Sequence, residues 1–188
     1  MIALFEDESR DAWQMPDRVI RSLQIEAKNA IVADIGAGSG YFTRRLALQV
    51  PEGRVYAVDV DREFEGHLLD NREAWGTPNI EPHLALYDDP MLPAGTIDLV
   101  FAANTYAYIR DRVRYFERVR RALKPGGRLA IIDFRPDATP PSGIAPAPEH
   151  RVDRERAAAE LQEAGFVVLK EETFLPHQWY LLLEARAQ

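Results

Sequence analysis

The stretch "VADIGAGSGYFT" (residues 32–43) decides how this chain folds. It begins in a short apolar run, and glycine then occurs at alternate positions 36, 38 and 40 before a helical pattern opens at Tyr41. Glycine adopts backbone conformations that other residues avoid, and it lets the main chain approach a neighbouring molecule closely. The stretch therefore predicts a tight turn from a strand into a helix, with a small ligand against its backbone. A turn that binds nothing is the alternative.

Apolar runs alternate with amphipathic segments along most of the chain. Strand-like runs occur at 30–36, 54–60, 97–105 and 128–134, with a weaker candidate at 81–87. Segments with helical spacing of apolar residues lie between them at 41–50, 62–75 and 110–124. This alternation predicts an α/β fold in which helices cover both faces of a mostly parallel sheet.

The last third of the sequence departs from this alternation. Segment 135–150 holds five of the 13 prolines, so it is neither a helix nor a central strand, and we expect it over the carboxyl edge of the sheet. The strand-like runs 166–174 and 178–186 are separated by "LPH" alone, which is too short for a helical crossover. They are predicted to pair as an antiparallel hairpin.

The chain has 188 residues, close to the usual size of one domain. We predict a single domain over 1–188 with four parts. These are an N-terminal helical segment (1–29), the strand–helix core that contains the glycine turn (30–134), the proline-rich loop (135–150), and a helix followed by the terminal hairpin (151–188).

Composition limits the possible partners. The formal net charge of -7 argues against a broad nucleic-acid-binding face, which needs clustered Lys and Arg. Segment 110–124 is rich in arginine, but its apolar residues recur at helical spacing, which favours a solvated outer helix face over a basic patch. The chain has no cysteine, no basic-apolar leader and no apolar run that would span a bilayer. We therefore expect a cytoplasmic protein with no membrane or nucleic-acid partner.

Two acidic residues narrow the chemistry of the ligand. Asp34 lies two positions before Gly36, and Asp59 ends the following strand, where a carboxylate can accept both hydroxyls of a ribose. The glycine spacing is G-x-G-x-G rather than the G-x-G-x-x-G of dinucleotide sites. A carboxylate at position 34 repels a pyrophosphate but attracts ammonium and sulfonium charges. The pattern disfavours NAD, and no Tyr-x-x-x-Lys hydride site occurs.

The same residues carry a family resemblance. "VADIGAGSGYFT" resembles motif I of the class I S-adenosylmethionine-dependent methyltransferases. The similarity extends over roughly residues 30–134, through "VYAVDVD" (55–61), "DDPMLPAGTIDLVFAANTYAYI" (88–109) and "RALKPGGRLAIID" (121–133). It implies a three-layer Rossmann-like fold with a seven-stranded, mostly parallel sheet, an antiparallel C-terminal hairpin, and S-adenosyl-L-methionine as the cofactor.

The resemblance also implies roles for particular residues. Asp34 would orient the amino group of the cofactor, and Gly36 and Gly38 would let the backbone approach its methionine part and ribose. Asp59 would bind the ribose hydroxyls, although a plain helix cap is the rival interpretation. Val60 would pack against the adenine.

Two further positions follow from the same motifs. Asp88 matches the acidic residue that accepts from the adenine amino group, with Asp89 as the alternative if the register is off by one. A simple turn before Pro90 is the rival interpretation. Asn104 would contact the methionine portion through its backbone or side chain.

The catalytic residues stay open, with Asp133, Tyr106 and His150 as candidates. Tyr106 could line the pocket or contact the sulfonium through a cation–π interaction, or it could be half-buried. Asp133 could act as a base or substrate anchor, or it could pair with Arg135 or cap a loop. Related enzymes often carry histidine near this point, where Ala107 stands here.

The expected reaction is an in-line methyl transfer to a small-molecule acceptor, for which orientation suffices. No Asp-Asp-Asn cluster of the kind found in catechol-type enzymes aligns, so no metal is expected. In the N-terminal segment, Trp13 and Gln14 could close the site, or Trp13 could simply dock a helix. A non-catalytic module that binds the cofactor or its demethylated product is the main alternative, and an NAD(P)-dependent oxidoreductase is a more distant one.

Overall fold

A computed structural model describes residues 2–141 and 143–186, in which one seven-stranded sheet forms the centre of the molecule. Its strands are β1 (Ile31–Ile35), β2 (Arg54–Asp59), β3 (Ile80–Leu84), β4 (Ile97–Ala103), β5 (Leu123–Phe134), β6 (Phe166–Glu172) and β7 (Gln178–Ala185). The order across the sheet is β3-β2-β1-β4-β5-β7-β6. Only β7 pairs antiparallel to its neighbours, so the other six strands run in one direction. The predicted mostly parallel sheet with a terminal hairpin is confirmed.

Helices cover both faces of this sheet. They are α1 (Ile2–Phe5), α2 (Arg10–Gln14), α3 (Pro16–Ser22), α4 (Thr43–Gln49), α5 (Arg62–Asn71), α6 (Arg112–Ala122) and α7 (Arg154–Glu163). Short 3-10 helices span Tyr106–Tyr108 and Pro148–His150. Within the described residues, no helix combines the length and apolar character that crossing a membrane requires.

The core consists of two apolar layers on opposite faces of the sheet. Leu129 and Ile131 of β5 belong to the layer under α6 and α7, whereas Ala130 and Ile132 belong to the layer under α3, α4 and α5. This alternation follows from the strand geometry, in which successive side chains point to opposite faces. A three-layer architecture results, as the resemblance implies.

Several boundaries differ from the sequence-based expectation; helix α5, for example, ends at Asn71 rather than at 75. The pairing of β5 with β4 begins at Leu123 and resumes at Arg128, so "KPGG" (124–127) lies within the strand as an irregularity rather than before it. Helix α4 begins at Thr43 rather than at Tyr41, because the turn after the glycines continues through Phe42.

Helix α6 is anchored more firmly than a solvated arginine face implies. Phe116 and Val119 are fully buried, as its apolar spacing predicts. Arg112, however, forms a bidentate pair with Glu160 of α7, with Nε–Oε2 and Nη2–Oε1 distances of 2.5 and 3.0 Å. The helix therefore presents only part of its arginine face to water.

Candidate functional site

A cavity of about 480 Å³ opens at the carboxyl ends of β1, β2 and β4. Its walls come from the glycine turn 36–39, from Asp59 and Val60, from segment 85–87 and from segment 103–105. No described residue of β5 lines it. The cavity thus lies at the edge where open α/β sheets bind ligands, but toward β1 and β2 rather than between β4 and β5.

The glycine turn forms the floor of this cavity. Gly36 has φ 74°, and a Cβ added to it would lie 2.0 Å from Oγ1 of Thr105. A Cβ on Gly38 (φ 54°) would meet the ring of Phe5 at 3.3 Å. Gly36 is therefore required by close packing inside the protein, whereas Gly38 keeps the N-terminal segment close over the turn.

The carboxylate of Asp59 is held by backbone N–H groups at the rim of the floor. Its Oδ2 accepts from Gly38 N at 2.8 Å, and its Oδ1 accepts from Val60 N at 2.8 Å and Asp61 N at 3.1 Å. The rival interpretation as a helix cap is wrong, because Asp61 caps α5 by accepting from Glu63 N. Asp59 and Val60 both line the cavity.

Asp34, on β1 two residues before the turn, is buried. Only 3% of its surface is exposed, and Oδ2 accepts a hydrogen bond from Thr43 Oγ1 at 2.6 Å. Burial raises the pKa of Asp34 to about 7, and the nearby charge of Asp59 acts in the same direction. A carboxyl that titrates near neutrality therefore lines the cavity.

Arg10 of α2 places a positive charge in the same cavity. Its guanidinium stacks over the ring of Tyr41 at 3.8 Å, and Nη1 donates to the carbonyl oxygen of Phe5 at 2.6 Å. Burial lowers the pKa of Arg10 to about 10, so the side chain stays charged at neutral pH. Sequence reasoning missed this residue, because nothing in the local pattern shows which arginine of the N-terminal segment turns inward.

Aromatic and aliphatic side chains complete the cavity walls. Phe5 stacks on Phe64 with ring centroids 5.7 Å apart, and both line the cavity. Tyr87 and Tyr108 also line it, although they are 82% and 62% exposed. Among the described residues of the proline-rich segment, Ile144 lines the cavity.

Asp88 and Asp89 are not brought to the cavity. Arg118 of α6 contacts both carboxylates, at 3.3 Å for Asp88 and 3.2 Å for Asp89. Both residues belong to a tight turn that is closed by backbone hydrogen bonds between Leu86 and Asp89. The expected adenine contact is therefore not supported, and the turn interpretation describes this segment.

Tyr106 and His150 also lie away from the cavity. Tyr106 is fully buried, its hydroxyl donates to Glu160 Oε2 at 2.8 Å, and its ring stacks on Phe116. It belongs to the core beneath α6 and α7 and cannot contact a ligand in the cavity. His150 is exposed at the end of a 3-10 helix.

Asp133 supports the loop after β4 rather than facing the ligand. Its carboxylate accepts from Ala107 N at 2.9 Å and from Phe134 N at 2.7 Å. Burial raises the pKa of Asp133 to about 6, against those hydrogen bonds. Of the interpretations considered, the loop cap describes Asp133, since Arg135 pairs with Asp137 instead.

Trp13 docks helix α2 against the sheet, as the second interpretation of that residue predicts. Trp13 packs on Phe134 with ring centroids 5.8 Å apart, and neither Trp13 nor Gln14 lines the cavity. Asn104 does line it, with a left-handed backbone (φ 61°).

Comparisons with known proteins place the chain in context. A family profile described as a methyltransferase domain matches residues 32–127. Trans-aconitate 2-methyltransferase of Rhodopseudomonas palustris (strain BisB18) is 36% identical over 101 residues, which cover 53% of this chain and 37% of that protein. The chain spans less than half the length of the curated relatives that it matches.

Solved structures match along nearly the whole chain. The crystal structure of a SAM-dependent methyltransferase from Aquifex aeolicus has a TM-score of 0.90 at 25% identity and covers 98% of this chain and 97% of that one. A phosphoethanolamine N-methyltransferase of Haemonchus contortus, solved with S-adenosylhomocysteine, has a TM-score of 0.74 at 15% identity. That match covers 94% of this chain and 53% of the other and shows the common fold.

Proposed function

From the premise that this chain belongs to the methyltransferase domain family, we propose that it binds S-adenosyl-L-methionine in the cavity and transfers the methyl group to a small-molecule acceptor. One observation carries the proposal. Asp34 and Arg10, of opposite charge, line the same cavity as Asp59, which ends the neighbouring strand.

These residues fit the two polar ends of such a cofactor. An amino-acid end carries an ammonium and a carboxylate, for which Asp34 and Arg10 offer complementary charges. Asp59 retains acceptor capacity beyond the three N–H groups that orient it, and a ribose can use that capacity for its hydroxyls. A pyrophosphate would meet two carboxylates here, which disfavours a dinucleotide.

The remaining lining residues divide between the two sides of the cavity. Val60, Leu86 and Tyr87 offer an apolar edge for the adenine, next to the ribose site. Gly36, Gly38 and Asn104 would contact the methionine part.

The transfer itself requires orientation more than acid–base chemistry. When bound, S-adenosylmethionine supplies an electrophilic methyl group. The protein holds the acceptor in line with it at contact distance. Thr105 and Tyr108 stand beside Asn104 in the cavity wall and are the residues that we assign to the acceptor side.

Calorimetry with S-adenosylhomocysteine tests the binding proposal. Asp59→Ala is expected to weaken the affinity by about 1–3 kcal/mol, because an acceptor for two hydroxyls is lost. Asp61→Ala is the matched control, since Asp61 is the neighbouring carboxylate that caps α5 and does not line the cavity. Equal affinities of both variants, with the fold intact, would remove Asp59 from this role.

Turnover decides between an enzyme and a binding module. Labelled S-adenosylmethionine is incubated with panels of small carboxylic acids, amines, phenols and thiols, and a labelled product supports the proposal. Tight binding without transfer to any panel would favour the non-catalytic module, and binding of NAD instead would overturn the proposal. A cytoplasmic location stays a prediction.

A further inference from the structure

Three amide side chains form a closed hydrogen-bonded ring beside the cavity. Asn104 Nδ2 donates to Gln14 Oε1 at 3.3 Å, and Gln14 Nε2 donates to Gln178 Oε1 at 3.4 Å. Gln178 Nε2 donates to Asn104 Oδ1 and closes the ring. Gln14 and Gln178 are 0% and 2% exposed. Within the ring each amide donates once and accepts once, and the additional donation from Arg10 Nε to Gln14 Oε1 fixes the direction of the ring and so the orientation of all three groups.

The ring connects to the cavity at two points. Asn104 lines the cavity directly, and Arg10, which also lines it, donates from Nε to Gln14 Oε1 at 2.9 Å. One oxygen of Gln14 therefore accepts from two cavity-lining side chains, although Gln14 does not line the cavity. These two side chains come from α2 and from the loop after β4.

We propose that Gln14 and Gln178 are positioning residues for the methionine end of the cofactor, which they affect only through Arg10 and Asn104; the inference rests on the function proposed above. Gln14 sets the direction of the Arg10 guanidinium. Gln178, on β7, holds the Asn104 side chain so that its Nδ2 faces Gln14.

The physical reason is the burial of these polar groups. A buried donor or acceptor without a partner is costly, so each amide has one favoured orientation while the ring is intact. Removal of Gln14 leaves Arg10 Nε and Asn104 Nδ2 without their acceptor, and both side chains must then move toward other partners. Such movement changes the cavity without changing any residue that contacts the ligand.

If Gln14 and Gln178 only docked the N-terminal helices, their loss would lower stability without changing ligand affinity. Ser22 of α3 also bonds to β7, through its hydroxyl and Tyr180 Oη at 3.0 Å, and neither residue lines the cavity. Loss of that bond should lower stability alone. Ser22→Ala is therefore the matched control for a purely structural effect.

The experiment measures S-adenosylhomocysteine affinity and melting temperature for the wild type, Gln14→Leu, Gln178→Leu and Ser22→Ala. The two leucine variants keep the side-chain volume and are expected to bind about tenfold more weakly. Ser22→Ala is expected to melt at a lower temperature with affinity within twofold of the wild type. In an Arg10→Met background, Gln14→Leu is expected to add less than its single-variant effect, because the two residues act together.

The outcomes separate this inference from the proposed function. Wild-type affinity in both leucine variants, or an equal loss of affinity in Ser22→Ala, would overturn the positioning role while leaving the cofactor site intact. A wild type that does not bind would overturn the proposed function and this inference with it. If Gln178→Leu does not fold, Gln178→Asn keeps an amide but shortens its reach to Asn104, and it is held to the same expectation.

Discussion

The two sides of the sheet's carboxyl edge differ in how their polar residues are used. At the ends of β1 and β2, Asp34 and Asp59 line the cavity beside the glycine turn. At the end of β5, Asp133 is as buried as Asp34 but turns away, accepting from Ala107 N in the loop after β4 and from Phe134 N of its own strand. A carboxylate at a strand end thus lines the cavity on one side of the sheet edge and supports a loop on the other.

The difference follows from what determines side-chain direction on each side. Next to the turn, the backbone itself bends around the cavity, so residues adjacent to the glycines are exposed to it. On β5 the direction follows the strand pleat, which places Asp133 on the same face as Leu129 and Ile131, toward the core under α6 and α7. Proximity to the edge alone therefore does not make a site residue.

The largest expected effect concerns the floor of the cavity on the β1 side. Gly36→Ala is expected to destabilise the protein by about 2–5 kcal/mol, because the new Cβ overlaps Thr105 and the backbone is left-handed. Urea unfolding measures the change. Gly76→Ala is the control, since Gly76 has φ 69° but no atom within 4 Å of the added Cβ. An equal loss of unfolding free energy in the two variants would show that packing against Thr105 is not the reason for glycine at position 36.

Asp34→Asn tests whether the buried negative charge of Asp34, on the β1 side, destabilises the folded protein. Because the folded-state pKa of Asp34 is about 7, above the ordinary 3.8, the folded protein binds the extra proton, and its stability falls as pH rises between these values. The neutral variant escapes that loss and is expected to be more stable at pH 8 by about 1–4 kcal/mol.

Thermal unfolding of wild type and Asp34→Asn at pH 5 and pH 8 measures this difference. The gain should be smaller at pH 5, where the wild-type carboxyl is mostly protonated. The raised pKa of Asp133 changes stability with pH in the same way in both proteins, so the difference between them reports on Asp34 alone. A variant that is less stable than the wild type at pH 8 would contradict the burial argument.

A smaller effect is expected from Tyr106, which belongs to the structural side of the comparison. Tyr106→Phe removes one donor to Glu160, which keeps its pair with Arg112, so the free energy of unfolding should fall by only about 0.5–1.5 kcal/mol. S-adenosylhomocysteine affinity should stay within twofold of the wild type. A large loss of affinity with little loss of stability would show that Tyr106 contributes to ligand binding.

The smallest effect is expected at His150. This side chain is exposed and outside the cavity, so His150→Ala should change stability by no more than about 0.5 kcal/mol. Chemical denaturation and the pH profile of methyl transfer provide the measurements. A titration step lost from that profile in the variant would make His150 a catalytic candidate again.

Much of the architecture can be predicted from local sequence. Strand β1 agrees within a few residues with the apolar run 30–36. The β6–β7 hairpin agrees equally well with the closely spaced runs 166–174 and 178–186. The start of β5 is an exception. Its pairing with β4 at Leu123, ahead of "KPGG", is a long-range contact that the chain's own turn signals do not reveal.

Cavity residues could be predicted from the sequence where a local backbone feature, a turn or a strand end, determines their position. Gly38, Asp59 and Val60 follow from one turn and one strand end, and all three line the cavity. Asp88 does not, because the pairing of Arg118 with both acidic residues is a tertiary contact with α6. Arg10 could not be found at all, since its inward direction depends on Gln14 and Tyr41.

By itself, the sequence determined the order of strands and helices, the glycine turn and the acidic residues beside it, because hydrophobic period and backbone freedom are local properties of the chain. The tertiary structure alone decided that Tyr108 rather than Tyr106 faces the cavity, and that Arg10 joins Asp34 there. The physical reason is that side-chain direction at a sheet edge depends on which helices pack against it, and those contacts join residues far apart in the chain.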